Sequence, residues 1–196
     1  MRRVVFNQKG GVGKSSITCN LAAISAKQGY STLVVDLDVQ GNSSYYLGID
    51  THDEENIPQY NVADFFRRST GGFLSVRKQP HEYVHETCIE NLYVLPSSPE
   101  LEQLEMELER KHKIYKLKEA LIKLEDNFDH IYIDTPPNFN FYSKSALIAA
   151  DSALIPFNCD SFSKQALYNL MANVEELRED HNPELFIEGI VVNQFN

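Results

Sequence analysis

The segment Val4-Val5-Phe6-Asn7-Gln8-Lys9-Gly10-Gly11-Val12-Gly13-Lys14-Ser15-Ser16 constrains this chain more than any other. It runs from an apolar stretch through a glycine-rich turn into a helix-compatible stretch. Gly10, Gly11 and Gly13 let backbone N–H groups close around a polyphosphate, and the following helix points its positive end at the same place. Lys14 is placed to reach terminal phosphates, and Ser15 stands where a hydroxyl would ligate a divalent cation. The general phosphate-loop pattern G-x-x-x-x-G-K-[ST] asks for glycine at position 8, where this chain has Gln8; a second lysine, Lys9, is its distinguishing mark. A glycine-rich turn with two solvated lysines is the competing reading, and the strand, glycine and helix context argues against it.

Strand and helix signals alternate around that segment. Residues 2 to 7, 32 to 36, 92 to 95, 130 to 134, 153 to 157 and 186 to 192 read as strands, and 14 to 28, 62 to 67, 141 to 150 and 162 to 179 as helices. Ile17, Leu21 and Ile24 supply the apolar spacing of the first helix, which Gly29 stops. Thr32 to Asp36 is too continuously apolar to have a wet face. Ser98-Pro99-Glu100 is a strong helix start, and Leu101, Leu104, Leu108, Leu117, Leu121 and Leu124 continue one long stripe, which reads first as the face that covers a sheet, with a coiled-coil seam as the competing account. Residues 51 to 90 are the least regular. The alternation predicts an α/β fold, one domain over residues 1–196, with a mostly parallel sheet covered by helices on both faces. Ligands in such sheets collect at the carboxyl ends of the strands, which gathers the loops after Phe6, Val35, Ile133 and Val192 at one site.

At 196 residues, with 42% apolar and 23% charged residues, the chain suits one domain with a sizeable core. Cys19, Cys88 and Cys159 are scattered and odd in number, which argues for a reducing, cytoplasmic setting rather than a disulfide framework. The apolar run before Asn7 is too short for a signal peptide, and no window approaches a membrane span. The net charge of −10 repels nucleic acid and anionic membranes on average, so such a partner must meet a local patch. Arg67-Arg68, Arg77-Lys78 and Lys111, Lys113, Lys116 and Lys118 are the candidates, each reading first as a solvated face. His81, His85 and Cys88 would share a helical face, but without a second ligand cluster they read as a surface histidine pair beside a buried cysteine.

Asp36 and Asp38 leave the second strand together in Asp36-Leu37-Asp38-Val39-Gln40-Gly41-Asn42. Buried strand ends rarely carry two aspartates without a cation or donors to satisfy them; turn or capping aspartates are the competing account. A third apolar strand ends on Asp134, followed by Thr135-Pro136-Pro137. Together, Lys9-Gly10-Gly11-Val12-Gly13-Lys14-Ser15, the D-x-D-x-Q-G-N run (Val39 where the family writes proline) and the D-T-P-P segment resemble the ParA form of the ParA/MinD family of deviant Walker A P-loop ATPases.

That resemblance implies ATP and Mg²⁺ as cofactors, with Gly10, Gly11, Val12, Gly13, Lys14, Ser15 and Ser16 cradling the phosphates. It implies Asp134 and Ser15 on the magnesium, Asp36 supporting the magnesium shell and Asp38 orienting the attacking water. Lys9 would reach the partner's phosphates across a nucleotide-sandwich homodimer, and Asn193 would meet the adenine edge. Asp160 matches an acidic position near the dimer-facing nucleotide, though a helix N-terminal role, or a cap at Ser161, fits equally. The resemblance further implies a cycle on nonspecific DNA, stimulated by a ParB-type partner, that partitions or positions cargo, and further C-terminal helices that this sequence lacks. A MinD-like membrane-cycling ATPase would need a C-terminal amphipathic helix, and the sequence ends on a strand. A metabolic relative using the same ATP site, either ligase or electron-transfer, competes with the partition reading, as does a nucleotide-gated switch with negligible turnover.

Overall fold

Every residue of the strand Thr32–Asp36 is buried, as its unbroken apolar run requires. A computed structural model of the chain describes residues 1–53, 58, 60–70, 79–158 and 163–193. Its strands are β1 (Arg2–Val5), β2 (Thr32–Asp36), β3 (His85–Glu86), β4 (Leu92–Leu95), β5 (His130–Asp134), β6 (Ser152–Asn158) and β7 (Phe186–Asn193). Its helices are α1 (Lys14–Lys27), α2 (Asn42–Tyr46), α3 (Val62–Thr70), α4 (Leu101–Arg110), α5 (Lys116–Leu124), α6 (Phe141–Ala149) and α7 (Ser163–His181). The strands form one seven-stranded sheet in the order β3-β4-β2-β5-β1-β6-β7. All its pairings are parallel except that of β3 with β4, so the expected α/β class holds.

The two faces are covered unequally. One carries the larger core, built from Leu33, Val35, Ile131 and Ile133 under side chains such as Leu101, Leu117, Phe141 and Val174. The other carries α1, whose buried residues are Lys14, Thr18, Cys19, Ala22, Ser25 and Ala26. This corrects the expected stripe: Ile24 is 55% exposed. Small residues face the strands because α1 lies close against Val34, Val94 and Tyr132, leaving little room for branched side chains.

The long leucine-rich stretch is two helices rather than one. α4 closes where Lys113 N–H donates to the Leu108 carbonyl and His112 N–H to that of Glu109, with His112 at φ 51°. That is the Schellman pattern, here built on a non-glycine residue. Among the described strands β7 lies at one edge of the sheet, with Phe186 65% and Val192 51% exposed. Cys88 is exposed, not buried, while His85 Nε2 pairs with the Tyr60 carbonyl at 2.6 Å. Arg77-Lys78, Cys159, Asp160 and Ser161 lie outside the described residues.

The sheet order places β5 between β2 and β1, with Asp36 paired to Asp134 and Val5 to Asp134 in register. The loops that follow β1, β2 and β5 therefore leave the sheet side by side, at the carboxyl end where the fold collects ligands.

Candidate nucleotide-binding site

The loop between β1 and α1 is pinned at its base. Buried Asn7 donates from Nδ2 to the Pro156 carbonyl at 2.6 Å and accepts the Lys9 N–H on Oδ1 at 2.8 Å. Asn138 N–H donates to the Gln8 carbonyl at 3.1 Å, tying the loop after β5 to the loop after β1. α1 then starts from Gly13, whose φ of 91° suits glycine, with no side-chain cap and no acidic residue in its first turn. Its first N–H groups are thus left for a ligand, and an uncapped helix start favours an anion. A Cβ on Gly13 would also run into the side-chain amide of Asn193.

Lys14 is 7% exposed, and its ammonium donates to the Lys9 carbonyl at 3.0 Å. Burial pulls its pKa down, and the charges of Asp134 and Asp38 oppose that pull. Lys14 and Asp38 line a cleft of about 410 Å³ with Gly11, Ser16, Tyr46 and Pro137. Lys9 is exposed beside it.

The acidic side of the cleft is a buried network. Asp134 accepts the Ser43 hydroxyl on Oδ2 at 2.7 Å and the Thr135 N–H on Oδ1 at 3.0 Å, and the Ser15 side chain also bonds to it. Burial raises its pKa. Asp36 accepts both the N–H and the hydroxyl of Ser44 on Oδ2, each at 2.8 Å, and the Asp38 N–H on Oδ1 at 3.1 Å. Burial first, and the Asp134 charge second, raise the pKa of Asp36. Asp38 is 7% exposed, accepts the Gln40 N–H at 3.1 Å and has its pKa raised by burial, partly offset by Lys14.

The structure thus brings Lys14, Ser15, Asp38 and Asp134 together. Asp36 lies behind Asp38, its Oδ2 accepting from Ser44 and its Oδ1 from the Asp38 N–H, and like fully buried Asp134 it does not itself line the cleft. Asn193 reaches the loop, donating from Nδ2 to the Val12 carbonyl at 3.1 Å. Sequence reasoning missed Ser43, Ser44 and Ser97. The Ser97 N–H donates to the Ser44 hydroxyl at 3.0 Å, and the Ser97 hydroxyl donates to the Asp38 carbonyl. The run Asn42-Ser43-Ser44, directly after two strand-end aspartates, was the available signal, since such carboxylates need nearby donors.

Residues 3–187 match the family described as "AAA domain". The chain is 35% identical to the chromosome partitioning protein ParA of Myxococcus xanthus, over 98% of this chain and 64% of that protein. It is 33% identical to the sporulation initiation inhibitor protein Soj of Bacillus subtilis, over 96% of this chain and 70% of that protein. The chain belongs to the ParA/MinD-like family of P-loop ATPases. It spans about two thirds of the length of these curated family members, 64% and 70%. Among solved structures of the fold, the cobyrinic acid a,c-diamide synthase of Mycobacterium smegmatis, with bound ADP and magnesium, superimposes with a TM-score of 0.87. That match is 26% identical and covers 100% of this chain and 75% of that one.

Proposed function

We propose that this chain binds ATP with Mg²⁺ in the cleft between α1 and the ends of β2 and β5, and hydrolyses it as a homodimer. The observation that carries this reading is the convergence of a buried lysine, a hydroxyl and two buried carboxylates on the uncapped start of a helix. The residues fit the cofactors: the N–H groups from Gly10 to Ser16 and the Lys14 ammonium suit phosphate oxygens, and the oxygens of Ser15 and Asp134 suit a hard cation. When bound, magnesium supplies neutralisation of the charge that develops on the transferred phosphoryl group. Phosphoryl transfer asks mainly for positioning and charge, and the residues divide that work. Lys14 holds the terminal phosphates, Asp38 orients the attacking water, and Asp134 with Ser15 holds the cation. Asp36 is better assigned to positioning: by accepting from Ser44 and the Asp38 N–H it fixes the turn that presents Asp38.

Exposed Lys9 reaches the partner's phosphates across a face-to-face dimer, and Asn193 meets the adenine edge from its place on Val12. Asp160 keeps its two roles, near that nucleotide or at a helix start. The dimer cycles on nonspecific DNA, is released by hydrolysis under a ParB-type partner, and positions cargo in the cytoplasm. Identities of 35% and 33% to proteins named for partitioning and for Soj support this over ligase chemistry, for which the synthase likeness at 26% is the supporting observation. Among the described residues no helix is long and apolar enough to cross a membrane.

Sedimentation with ATP and with ADP, each with and without a nonspecific duplex at low salt, tests the reading. An ATP-dependent dimer that moves onto DNA is the expected result; a protein that stays monomeric with ATP overturns the dimer, and a DNA-inert dimer overturns the DNA step.

A further inference from the structure

α2 is one turn long, and its two tyrosines point to different places. Tyr46 is four residues from Asn42, which places both on one face of the turn. Both line the cleft, across from Ser15 and Ser16 at the start of α1. Tyr45 does not line it and is 66% exposed. Tyr46 is 57% exposed, so a large ring stands uncovered at the rim of a cleft in which it is the one aromatic among the described lining residues, beside glycines, Pro137 and polar or charged side chains. The turn that carries it is firmly held: Gly41 adopts φ 62°, and Ser44 is anchored on Asp36. Gly48 at φ 90° ends the turn with Ile49 N–H donating to the Ser44 carbonyl at 2.9 Å. A ring on so fixed a mount is presented to the cleft at little further cost in ordering.

We propose that Tyr46 is a positioning and affinity residue of this cleft, its ring covered by the bound nucleoside polyphosphate, with Tyr45 serving as the uninvolved neighbour. This rests on the nucleotide-binding reading, and the test separates the two. Because the chain contains no tryptophan, Tyr46→Trp and Tyr45→Trp each carry a single indole reporter. Mg-ADP is the probe, since the proposed dimer forms with ATP and its interface would otherwise confuse the signal. Calorimetry on the wild-type protein first measures Mg-ADP binding.

The expected result is a saturable change in emission from Tyr46→Trp that follows the calorimetric curve, with Tyr45→Trp unchanged. Tyr46→Ala should weaken Mg-ADP about 2- to 12-fold, the range for uncovering part of a ring's apolar surface. If wild type binds Mg-ADP while Tyr46→Trp stays silent and Tyr46→Ala binds with wild-type affinity, the role of Tyr46 is overturned and the nucleotide site stands. A Tyr45→Trp response equal to that of Tyr46→Trp also overturns it, because the change would then belong to the whole turn. Absence of Mg-ADP binding by the wild type overturns the underlying reading itself. Circular dichroism of each variant identifies one that has merely failed to fold, and Tyr46→Phe then replaces Tyr46→Ala, with preserved affinity expected for a contact made by the ring and a 2-fold or greater loss counting against it.

Discussion

Lys14 and Asp38 face the same cleft, yet removing them should have opposite signatures. If Lys14 holds the terminal phosphates as proposed, Lys14→Ala should weaken ATP roughly 100-fold, about 2.7 kcal/mol, in calorimetry. Asp38 carries negative charge, and its removal takes repulsion away from a polyanion while leaving the water unoriented. Asp38→Ala should therefore hold ATP at least as tightly as wild type, lose about 10²- to 10⁴-fold in phosphate release, and elute with ATP as a trapped dimer. Monomer alone in that chromatography would count against the role given to Asp38. The mount matters as much as the carboxylate: the Ser97 hydroxyl and Asp36 both hold the Asp38 backbone.

At the scale of elements, β2 and β5 end on carboxylates whose pKa values burial pushes up, Asp36 to about 8 and Asp134 to about 6. A carboxyl whose folded-state pKa is raised binds its proton more tightly folded than unfolded, so its contribution to stability is present at low pH and lost as pH rises. The nucleotide-free protein should lose thermal stability as pH is raised from about 5 through 8, and Asp134→Asn should recover roughly 2–8 °C at pH 8 in calorimetric scans. A melting temperature that climbs with pH across that window would contradict the assignment. These strand ends were legible in the sequence because a buried parallel strand reads as one apolar run, and an aspartate closing it stands out. The end of α1 was legible because a glycine marks it, and the end of α4 was not. α1 closes at Gly29, φ 94°, while α4 closes through the same Schellman bonds on His112, which carries no such mark. The two-residue β3 was invisible because it is too short to show a period, and α1 misled because close packing on the sheet selected its small residues over Ile24.

On the scale of the whole molecule, charge is spent in two ways. Arg2 and Arg3 serve the scaffold: Arg2 pairs with Asp151 and Glu125, and Arg3 with Glu188, closing β1 onto its neighbours. Lys111 and Lys116 pair with Glu107 and Glu119, and Arg67 with Glu100, which reduces the field of the candidate basic patches. Lys9 stands exposed on the loop of the cleft itself, and the chain carries a net charge of −10. Two such subunits repel at long range, so a face-to-face dimer requires local positive charge at the contact, and a lysine placed against the partner's phosphates meets that need. A cross-subunit cation of this kind acts on the transition state as an arginine finger does, by about 10³ to 10⁵ in rate. Turnover per subunit of the wild type should therefore rise with protein concentration and then level off. Lys9→Ala should show a flat, low rate, down on the order of 10³, while keeping Mg-ADP affinity within about 3-fold, because Lys14 and the helix start still hold the phosphates. The comparison needs only phosphate release across a concentration series, with calorimetry as the control. A Lys9→Ala protein that hydrolyses ATP at the wild-type rate would show that each subunit completes its own site.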